Sequence, residues 1–321
     1  MLLLPGGKNL EIPVARLEGD AAVVVKDGGD DPDVTSGCEI IVHVKQTDEP
    51  PLPEDYLVSG EDLTLVVRGG RGVGKVTRPG LSVPVGKWAI NPVPRRMLLE
   101  NLHATGARGH FLVTIEVPRG EDVAKETLNP TLGILGGISI IGTSGIVYPY
   151  SNAAYAATIA LQLRSVKACG GTIAALATGG RSAAAVARDF PEIPPEAIVR
   201  IGDFIQVAIH AAAASKLERL IVACMPGKLF KYACGEAYTH AHTCKLTPER
   251  MEALGVHLPD VNLSGMDTMG ELSHAIGPER FLEVLRAIHP IAHHVLQEWA
   301  GELPCIELIL YDDKGAIIQL R

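Results

Sequence analysis

Several signals that assign a protein to a class are missing from this chain of 321 residues. It has no uninterrupted apolar run of about 18 residues, so the sequence predicts no membrane-spanning helix. Its start, MLLLPGG, is interrupted by Pro5 and carries no basic segment before a long apolar core, which excludes a signal peptide and favours a cytoplasmic location. The Lys-Ser/Thr pair of a phosphate-binding loop is also absent.

Cysteine, aromatic residues and positive charge are scarce as well. The six cysteines are widely spaced and form no C-x-x-C pair, so we expect them to be reduced and mostly buried as small core residues. Aromatic residues make up only 4% of the chain, and this favours mixed α and β layers over a β-sandwich. The formal net charge of −8 argues against a nucleic-acid partner.

Acidic residues are absent from one long stretch. Residues 63–99 contain no Asp or Glu but seven cations. These cations are Arg68, Arg71, Lys75, Arg78, Lys87, Arg95 and Arg96. One interpretation is an ordinary solvated basic face. The other is a binding site for a polyanionic small molecule, and the Gly and Pro turns within the stretch favour it, because ligands are often held on loops.

Glycine is abundant in the stretch TLNPTLGILGGISIIGTSGIVYPYS, residues 127–151, which has glycines at positions 133, 136, 137, 142 and 145. The surrounding Leu, Ile and Val predict buried backbone. Successive turns could aim N–H groups at the oxygens of a ligand. Alternatively, the glycines only allow two segments to pack closely. The G-x-G-x-x-G order of a dinucleotide site is absent here.

The second half of the chain alternates strand and helix patterns. Such an order predicts a small parallel sheet covered by helices, with ligands bound beyond the carboxyl ends of the strands. Three loops fit that position: 178–181 (TGGR), 202–204 (GDF) and 225–228 (MPGK).

Helices are also predicted from proline positions. Asn91 is predicted to cap a helix that starts at Pro92 and runs to about Ala104. A helix from Pro278 to Trp299 is predicted to be interrupted at Pro290, before a hairpin around 312–315.

Two acidic or histidine-rich segments suggest metals only weakly. The loop DGGDDPD, residues 27–33, has four carboxylates but lacks the spacing of a calcium loop, and a turn with capping acids is the simpler interpretation. His240, His242 and Cys244 have zinc-like spacing without an obvious fourth ligand. We therefore predict no metal site, and His240 is the candidate for a polar contact or a catalytic base.

Three long blocks resemble one family, the cobalt-precorrin-5B C1-methyltransferases (CbiD). They are VVVKDGGDDPDVTSGCEI (23–40), GVGKVTRPGLSVPVGKWAINPVPRRM (72–97) and TLNPTLGILGGISIIGTSGIVYP (127–149). The family's upstream Gly-Tyr-Thr-Thr-Gly-Thr/Ser-Cys-Ala-Ala segment is not in this sequence, so no role of that segment is carried over. Met225 stands where many members have His, and Tyr238 where they have Asn.

The resemblance implies an α+β N-terminal domain, residues 1–148, followed by an α/β domain with a small parallel sheet, residues 149–321. It also implies methyl transfer from S-adenosylmethionine to C1 of cobalt-precorrin-5B, giving cobalt-precorrin-6A in anaerobic cobalamin biosynthesis. Cobalt would enter only as part of this corrinoid substrate. A homo-oligomer and transient contacts with neighbouring pathway enzymes are compatible with this picture.

The predicted site residues fall into two groups. Sheet topology suggests that the methyl donor is bound by Thr178, Gly179, Gly180, Gly202, Asp203 and Phe204. If the resemblance holds, the many carboxylates of the substrate would be received by cations and polar loop residues. These are Arg71, Lys75, Arg78, Asn91, Arg95, Arg96, Asn129, Gly136, Gly137, Thr143, Ser144 and Lys228. Asp203 as a helix cap, Phe204 as a core residue and Lys228 as an exposed lysine are the alternatives.

Two rival functions fit the same residues. An α/β nucleotide or phosphate-ester enzyme would use the TGGR and PGK loops as anion sites. A non-catalytic carrier would bind the corrinoid intermediate without transferring a methyl group. Enzyme and carrier both need a cationic surface, so the sequence does not separate them.

Overall fold

The computed structural model describes residues 1–149, 151–240, 244–263 and 265–320. The chain divides into two compact units, Met1–Ser151 and Asn152–Arg321. The first contains mainly antiparallel strands with two short helices, and the second contains a parallel sheet with helices, as expected for α+β and α/β classes.

The first unit is built on a six-stranded sheet. Its strands are β3 (Arg16–Glu18), β4 (Ala21–Val25), β5 (Glu39–Gln46), β6 (Tyr56–Ser59), β7 (Leu63–Gly69) and β9 (Gly109–Glu116), in the order β3-β4-β5-β9-β7-β6. All neighbours are antiparallel except β7 and β9, which are parallel. Small ladders join β1 (Leu2–Leu3) to β2 (Asn9–Leu10) and β8 (Lys75–Val76) to β10 (Ile134–Leu135).

Two helices complete this unit, α1 (Pro92–Ala104) and α2 (Gly120–Ala124). The bounds predicted for α1 are confirmed, since Pro92 is pre-organised for a first helical turn. Asn91 occupies the predicted N-cap position, but its side chain makes no cap hydrogen bond. Its Oδ1 instead accepts a hydrogen bond of 3.3 Å from the hydroxyl of Ser82.

The second unit contains a four-stranded parallel sheet. Its strands are β11 (Ile173–Ala177), β12 (Ile198–Arg200), β13 (Arg219–Cys224) and β14 (Ile306–Leu310), in the order β12-β11-β13-β14. The helices are α3 (Asn152–Ala168), α4 (Gly180–Asp189), α5 (Ile205–Ala214), α6 (Pro226–Ala233), α7 (Pro248–Ala253) and α8 (Met269–Ala300), with a 3₁₀ turn at Pro195–Ala197. Residues 174–177 and 220–224 are fully buried, as continuous apolar strands in a parallel sheet require.

The strand order brings the predicted loops to one edge of the sheet. All four strands are parallel, so their carboxyl ends lie together. The chain moves from β11 to β12 on one side and then to β13 on the other side of β11. In open α/β sheets, the point where the strand order reverses, here between the carboxyl ends of β11 and β13, is the usual ligand position.

The last helix differs from its prediction. The break lies at Gly277, with φ of 77° and ψ of 167°, and not at Pro290, which stands within a continuous helical segment. Packing explains this, because Ile288, Ala292 and Leu296 around the proline are fully buried. The predicted hairpin is present, with Tyr311 bridged to Ile317 and a hydrogen bond of 2.9 Å from the N–H of Asp312 to the carbonyl oxygen of Ala316.

Across the ranges that the structure describes, no helix has both the length and the apolar character that a membrane crossing requires.

Candidate functional site

The carboxyl edge of the parallel sheet gathers the predicted donor residues. Thr178 and Gly179 follow β11, Gly202 and Asp203 follow β12, and Lys228 lies in the first turn of α6 after β13. Ser182 organises the first of these loops, since its hydroxyl accepts a hydrogen bond of 3.0 Å from the N–H of Gly179. The loops therefore share one edge, as the alternating pattern predicts.

Glycines at this edge have open surroundings. A Cβ added to Gly179, Gly180 or Gly227 would meet no atom within 4 Å, and none of the three has a φ in the left-handed region. Neither backbone conformation nor packing within the protein thus requires glycine at these positions. The backbone at the starts of α4 and α6 is therefore open to close approach by another molecule.

Asp203 and Lys228 form an ion pair within this edge. The Lys228 ammonium also donates hydrogen bonds of 2.9 Å to the carbonyl oxygen and to the hydroxyl oxygen of Thr239. Thr239 is fully buried and its N–H donates to the carbonyl oxygen of Asp203 at 3.0 Å. The two charges, which the sequence assigns to different ligands, are therefore parts of one cluster. Both side chains keep about a quarter of their surface exposed, 23% for Lys228 and 26% for Asp203.

A row of aromatic rings borders this ion pair. Phe204 stacks on Tyr155 with ring centroids 5.1 Å apart, and Tyr238 contacts its edge at 5.0 Å. His240 is parallel to Tyr238 at 6.1 Å. Phe204 is only partly buried, and burial raises the pKa of the Tyr155 hydroxyl, which donates to the carbonyl oxygen of Arg200 at 3.2 Å.

Sequence reasoning missed Tyr155 and Tyr238. Tyr155 lies in the first turns of α3, 49 positions before Phe204, and no local spacing links the two. Together with Asp203 and the open glycines, the rings provide an aromatic surface, a carboxylate and accessible backbone. Such a set suits a small molecule with a purine ring, hydroxyl groups and a positive charge.

A second lysine, Lys231, lies beside the cluster. Lys231 donates hydrogen bonds to the carbonyl oxygens of Thr239, at 3.0 Å, and His240, at 2.6 Å. Burial, and then the neighbouring charge of Lys228, lower the pKa of Lys231. Segment 239–240 is therefore fastened to α6 by two lysines.

The acid-free stretch of the first unit is partly neutralised by a loop that precedes it. Asp55, whose side chain is fully buried, receives hydrogen bonds of 2.7 to 3.1 Å from the guanidinium of Arg68. Burial alone would raise the pKa of Asp55, but the bonds from Arg68 and from the N–H of Leu52 hold it below its ordinary value. Arg68 is thus a structural residue.

Two lysines of this stretch are also engaged. Lys75 pairs with Glu54 at 3.0 Å and stands 4.4 Å from the centre of the Trp88 ring. Lys87 donates a hydrogen bond of 2.8 Å to the carbonyl oxygen of Asp55. These contacts tie the basic loops to residues 54–55 and reduce the charge available to a ligand.

Arg95 and Arg71 differ from these cations. Among the described residues neither has a carboxylate within ion-pair distance. The Arg95 guanidinium lies 3.8 Å from the centre of the Tyr56 ring, and burial lowers its pKa. A half-buried guanidinium on an aromatic face is ready to receive an anionic group. Arg96 instead is exposed and lies 3.7 Å from Glu100.

The glycine-rich stretch divides into a packed part and an open part. A Cβ on Gly137 would come within 2.2 Å of the carbonyl oxygen of Gly72, and one on Gly133 within 2.6 Å of the side chain of Arg78. Close packing, the simpler alternative, explains these two glycines. Gly136 is exposed, and a Cβ there would meet nothing within 4 Å.

The prediction that this whole stretch is buried is wrong for its second half. Thr143, Ile146 and Tyr148 are at least partly exposed, whereas residues 132–134 and 137–138 are buried. Ser144 bonds within its own turn, to the backbone of Ile146. Further upstream, the buried Asn129 supports the packed part, because its amide donates a hydrogen bond of 3.1 Å to the carbonyl oxygen of Gly137.

The zinc-like spacing is not matched by a metal cluster in the part of the chain that the structure describes. His242 lies outside the described residues. Cys244 is buried and receives a hydrogen bond from Arg250, while the His240 ring stacks on Tyr238.

Comparison with known proteins identifies relatives over most of the chain. The CbiD family model matches residues 1–149. A cobalt-precorrin-5B C(1)-methyltransferase of Variovorax paradoxus (strain S110) is 39% identical over 313 residues, which cover 90% of this chain and 83% of that protein. The protein of the same name from Thermus thermophilus is 38% identical, and the match covers 97% of this chain and 84% of that protein. The one from Nitratidesulfovibrio vulgaris is 45% identical, but the match covers 76% of this chain and only 61% of that protein.

A solved structure, the cobalamin biosynthesis protein (cbiD) from Archaeoglobus fulgidus, is 27% identical with a TM-score of 0.36, covering 79% of this chain and 74% of that chain.

Proposed function

Because this chain belongs to the CbiD family of cobalt-precorrin-5B C(1)-methyltransferases, we propose that it methylates C1 of cobalt-precorrin-5B in cobalamin biosynthesis. One observation carries this proposal: 39% identity to an enzyme of that name, over 83% of the enzyme's length. The match covers 90% of this chain and therefore includes residues of both units, although the family model itself ends at residue 149.

The methyl donor is S-adenosylmethionine, which supplies an electrophilic methyl group on a positively charged sulfur. The carboxyl edge of the parallel sheet is its binding site in this proposal. The open backbone at Gly179, Gly180 and Gly227 allows close approach to the donor's polar groups. The Asp203 carboxylate follows the second strand, where such acids accept hydrogen bonds from ribose hydroxyls in related sheets.

Donor and acceptor placement accounts for the catalysis. Methyl transfer needs no protein nucleophile, and holding two reactants in line supplies about 7–11 kcal/mol of the barrier in favourable cases. Lys228 fixes the Asp203 carboxylate, and Thr239 fixes Lys228, so the ion pair keeps one geometry before the ligand arrives. The aromatic row Tyr155, Phe204 and Tyr238 offers the donor a ring surface next to this pair.

Cations of the first unit receive the substrate carboxylates. Arg95 and Arg71 are the strongest candidates, because among the described residues they lack carboxylate partners. Exposed polar groups at Thr143 and the open backbone at Gly136 extend this candidate surface. Arg78, Lys75 and Arg96 contribute further charge. Lys75 and Arg96 exchange their present partners, Glu54 and Glu100, for the substrate. His240 stays the candidate base for the proton that leaves near the methylated carbon.

Anaerobic incubation with cobalt-precorrin-5B and methyl-labelled S-adenosylmethionine tests the proposal. Mass spectrometry should show a gain of one labelled methyl group on the corrinoid, together with S-adenosylhomocysteine. A corrinoid that binds but gains no methyl group would reject catalysis and restore the carrier. Neither the carrier nor a phosphate-ester enzyme is favoured by the three relatives from Nitratidesulfovibrio vulgaris, Variovorax paradoxus and Thermus thermophilus, which are named as methyltransferases.

A further inference from the structure

Three large apolar side chains near the end of the first unit are open to solvent. Ile141 is 54% exposed, Ile146 43% and Tyr148 65%. A single exposed apolar residue is ordinary on a protein surface, but several in one short segment mark a binding surface. We call these three residues the apolar strip. The proposed donor site and the proposed carboxylate contacts make no use of their side chains.

The backbone that carries the apolar strip is anchored to the start of helix α1. The N–H of Asn91 donates a hydrogen bond of 3.0 Å to the carbonyl oxygen of Ile140. A Cβ added to Gly142 would come within 2.7 Å of the ring of Pro94, and the φ of Gly142 is 48°. Both packing and backbone conformation therefore require glycine at this position. The strip is held in place by backbone contacts while its side chains stay exposed.

A cation stands next to this strip. Arg95 follows Pro94 directly in α1, and its guanidinium lies 3.8 Å from the centre of the Tyr56 ring. Among the described residues, Arg95 has no carboxylate within ion-pair distance. Thr143, also exposed, adds a hydroxyl group within the strip. An apolar surface bordered by an arginine and a hydroxyl group suits a ligand with an apolar face and an anionic rim.

We propose that the apolar strip receives the flat face of the corrinoid macrocycle, while Arg95 binds a carboxylate on the rim of the ring. This inference rests on the proposed function, which supplies the identity of the ligand, and it adds the residues that recognise the ring itself. The faces of such a macrocycle are largely hydrocarbon, so contact with the strip removes apolar surface of both molecules from water. Tyr148 contributes an aromatic ring to this contact.

Burial by a ligand accounts for the difference between the sequence prediction and the structure of this segment. The Leu, Ile and Val residues of 127–151 predict buried backbone, yet the second half of the stretch is exposed. In the proposal, the bound macrocycle covers the apolar side chains of this half. The pattern that predicts a core then describes a surface that is buried only in the complex.

Binding of dicyanocobyrinic acid to the full-length protein tests the inference. This stable corrinoid carries carboxylates around its rim and is already methylated at C1, so its binding is measured apart from catalysis. In absorbance titrations, the double variant Ile141→Ser with Tyr148→Ser should bind it about tenfold more weakly than wild type. Because both side chains are exposed, this strip variant should unfold at the same urea concentration as wild type.

Salt dependence separates the strip from the cation. Salt screens the attraction between charges and leaves apolar contact in place. The strip variant should therefore lose affinity with an unchanged salt dependence, whereas Arg95→Met should show a weaker salt dependence. Leu17→Ser is the matched control, because it removes an apolar side chain that is 76% exposed on strand β3 of the same unit. It should bind the corrinoid as wild type does.

Three results would overturn the inference. Equal affinity of wild type and the strip variant for dicyanocobyrinic acid would place the macrocycle elsewhere. A wild-type protein that does not bind this corrinoid would also reject it, whether or not methyl transfer occurs. The third result is a wild-type dimer in sedimentation that becomes a monomer in the strip variant with unchanged corrinoid affinity, since the strip would then join two copies of the chain. Failure of the proposed function is a separate result, namely corrinoid binding at the strip without a gain of labelled methyl.

Discussion

In the first unit, glycines allow segments of backbone to touch. A Cβ on Gly72 would come within 1.8 Å of the carbonyl oxygen of Val117, and one on Gly137 within 2.2 Å of that of Gly72. In the second unit, Gly179, Gly180 and Gly227 face open space. Gly72 and Gly137 thus allow close internal packing, whereas the backbone at the three glycines of the second unit is open. The atoms around each glycine distinguish these two cases, and the number of glycines in the sequence does not.

Charged residues differ between the regions in a related way. Arg68 and Asp55 of the first unit are committed to each other, with the carboxylate fully buried. Asp203 and Lys228 of the second unit are also paired, but both remain partly exposed at the open edge of the sheet. The first pair therefore supports the fold, and the second is available to a ligand. The experiments below test this division, starting with the largest expected effect.

Asp55→Ala should reduce the free energy of unfolding of the protein by about 3–5 kcal/mol, because it leaves the Arg68 charge partly buried without its partner. Chemical denaturation monitored through Trp88, which contacts Asp55, measures this loss. Glu54→Gln is the matched control, since the Glu54–Lys75 pair is more exposed and should contribute less than about 1 kcal/mol. Equal effects of both variants would contradict the structural role of Asp55.

The same pair predicts an acid-sensitive stability. The folded-state pKa of Asp55 lies below its unfolded value near 3.8, so its contribution is fully present above that pH. It is lost as the pH falls through the folded-state pKa. Acid titration should show that the difference between wild type and Asp55→Ala shrinks only below about pH 4.

Asp203→Asn should weaken binding of S-adenosylmethionine by about 2–5 kcal/mol, since it removes the carboxylate and leaves Lys228 without its charge partner. Calorimetry of donor binding measures the change. Asp260→Asn breaks an exposed ion pair with Arg280 in the same unit and should leave donor binding unchanged. If the two variants bind the donor equally well, Asp203 has no part in the site.

Gly137→Ala should destabilise the protein by about 1–3 kcal/mol, because the added methyl group collides with the carbonyl group of Gly72. Gly227→Ala, at an open position with helical neighbours, should change stability by less than about 0.5 kcal/mol. Thermal and urea unfolding of both variants measure the difference. Similar stabilities would remove the distinction between packed and open glycines.

Arg95→Met should weaken corrinoid binding by about 1.5 kcal/mol, roughly tenfold, with little change in stability. Its methylene groups can stay on the Tyr56 ring while the charge is lost. Arg96→Met is the matched control, because Arg96 is the exposed neighbour paired with Glu100. Fluorescence or absorbance titration under anaerobic conditions compares the two. Equal affinities of wild type and Arg95→Met for the corrinoid would mean that Arg95 does not bind the substrate.

Much of this fold follows from local patterns in the sequence. Helix α1 begins at Pro92 and ends at Ala104 as its proline and its following glycine predict, and the parallel sheet places loops 178–181, 202–204 and 225–228 at one edge. Features that depend on distant partners were not predictable. Glu54 and Asp55 neutralise a stretch that contains no acid of its own, and Tyr155 reaches Phe204 from another helix.

Pro290 shows the same limit for backbone structure. The missing N–H of a proline predicts an interruption, but burial of Ile288 and Ala292 keeps the helix continuous. The glycines of 127–149 likewise give no local sign of whether their neighbours are protein or ligand. Tertiary packing decides these cases, and it is not encoded in any short segment.

The account rests on the carboxyl edge of the second unit as the donor site, and calorimetry of S-adenosylmethionine binding to Gly179→Ala tests it most directly. The new methyl group meets no protein atom within 4 Å, so the fold and its stability should be unchanged. We predict that donor affinity falls about tenfold, by 1.4 kcal/mol, because the methyl group occupies space reserved for the ligand. Wild-type affinity in a folded Gly179→Ala protein would contradict the proposed site.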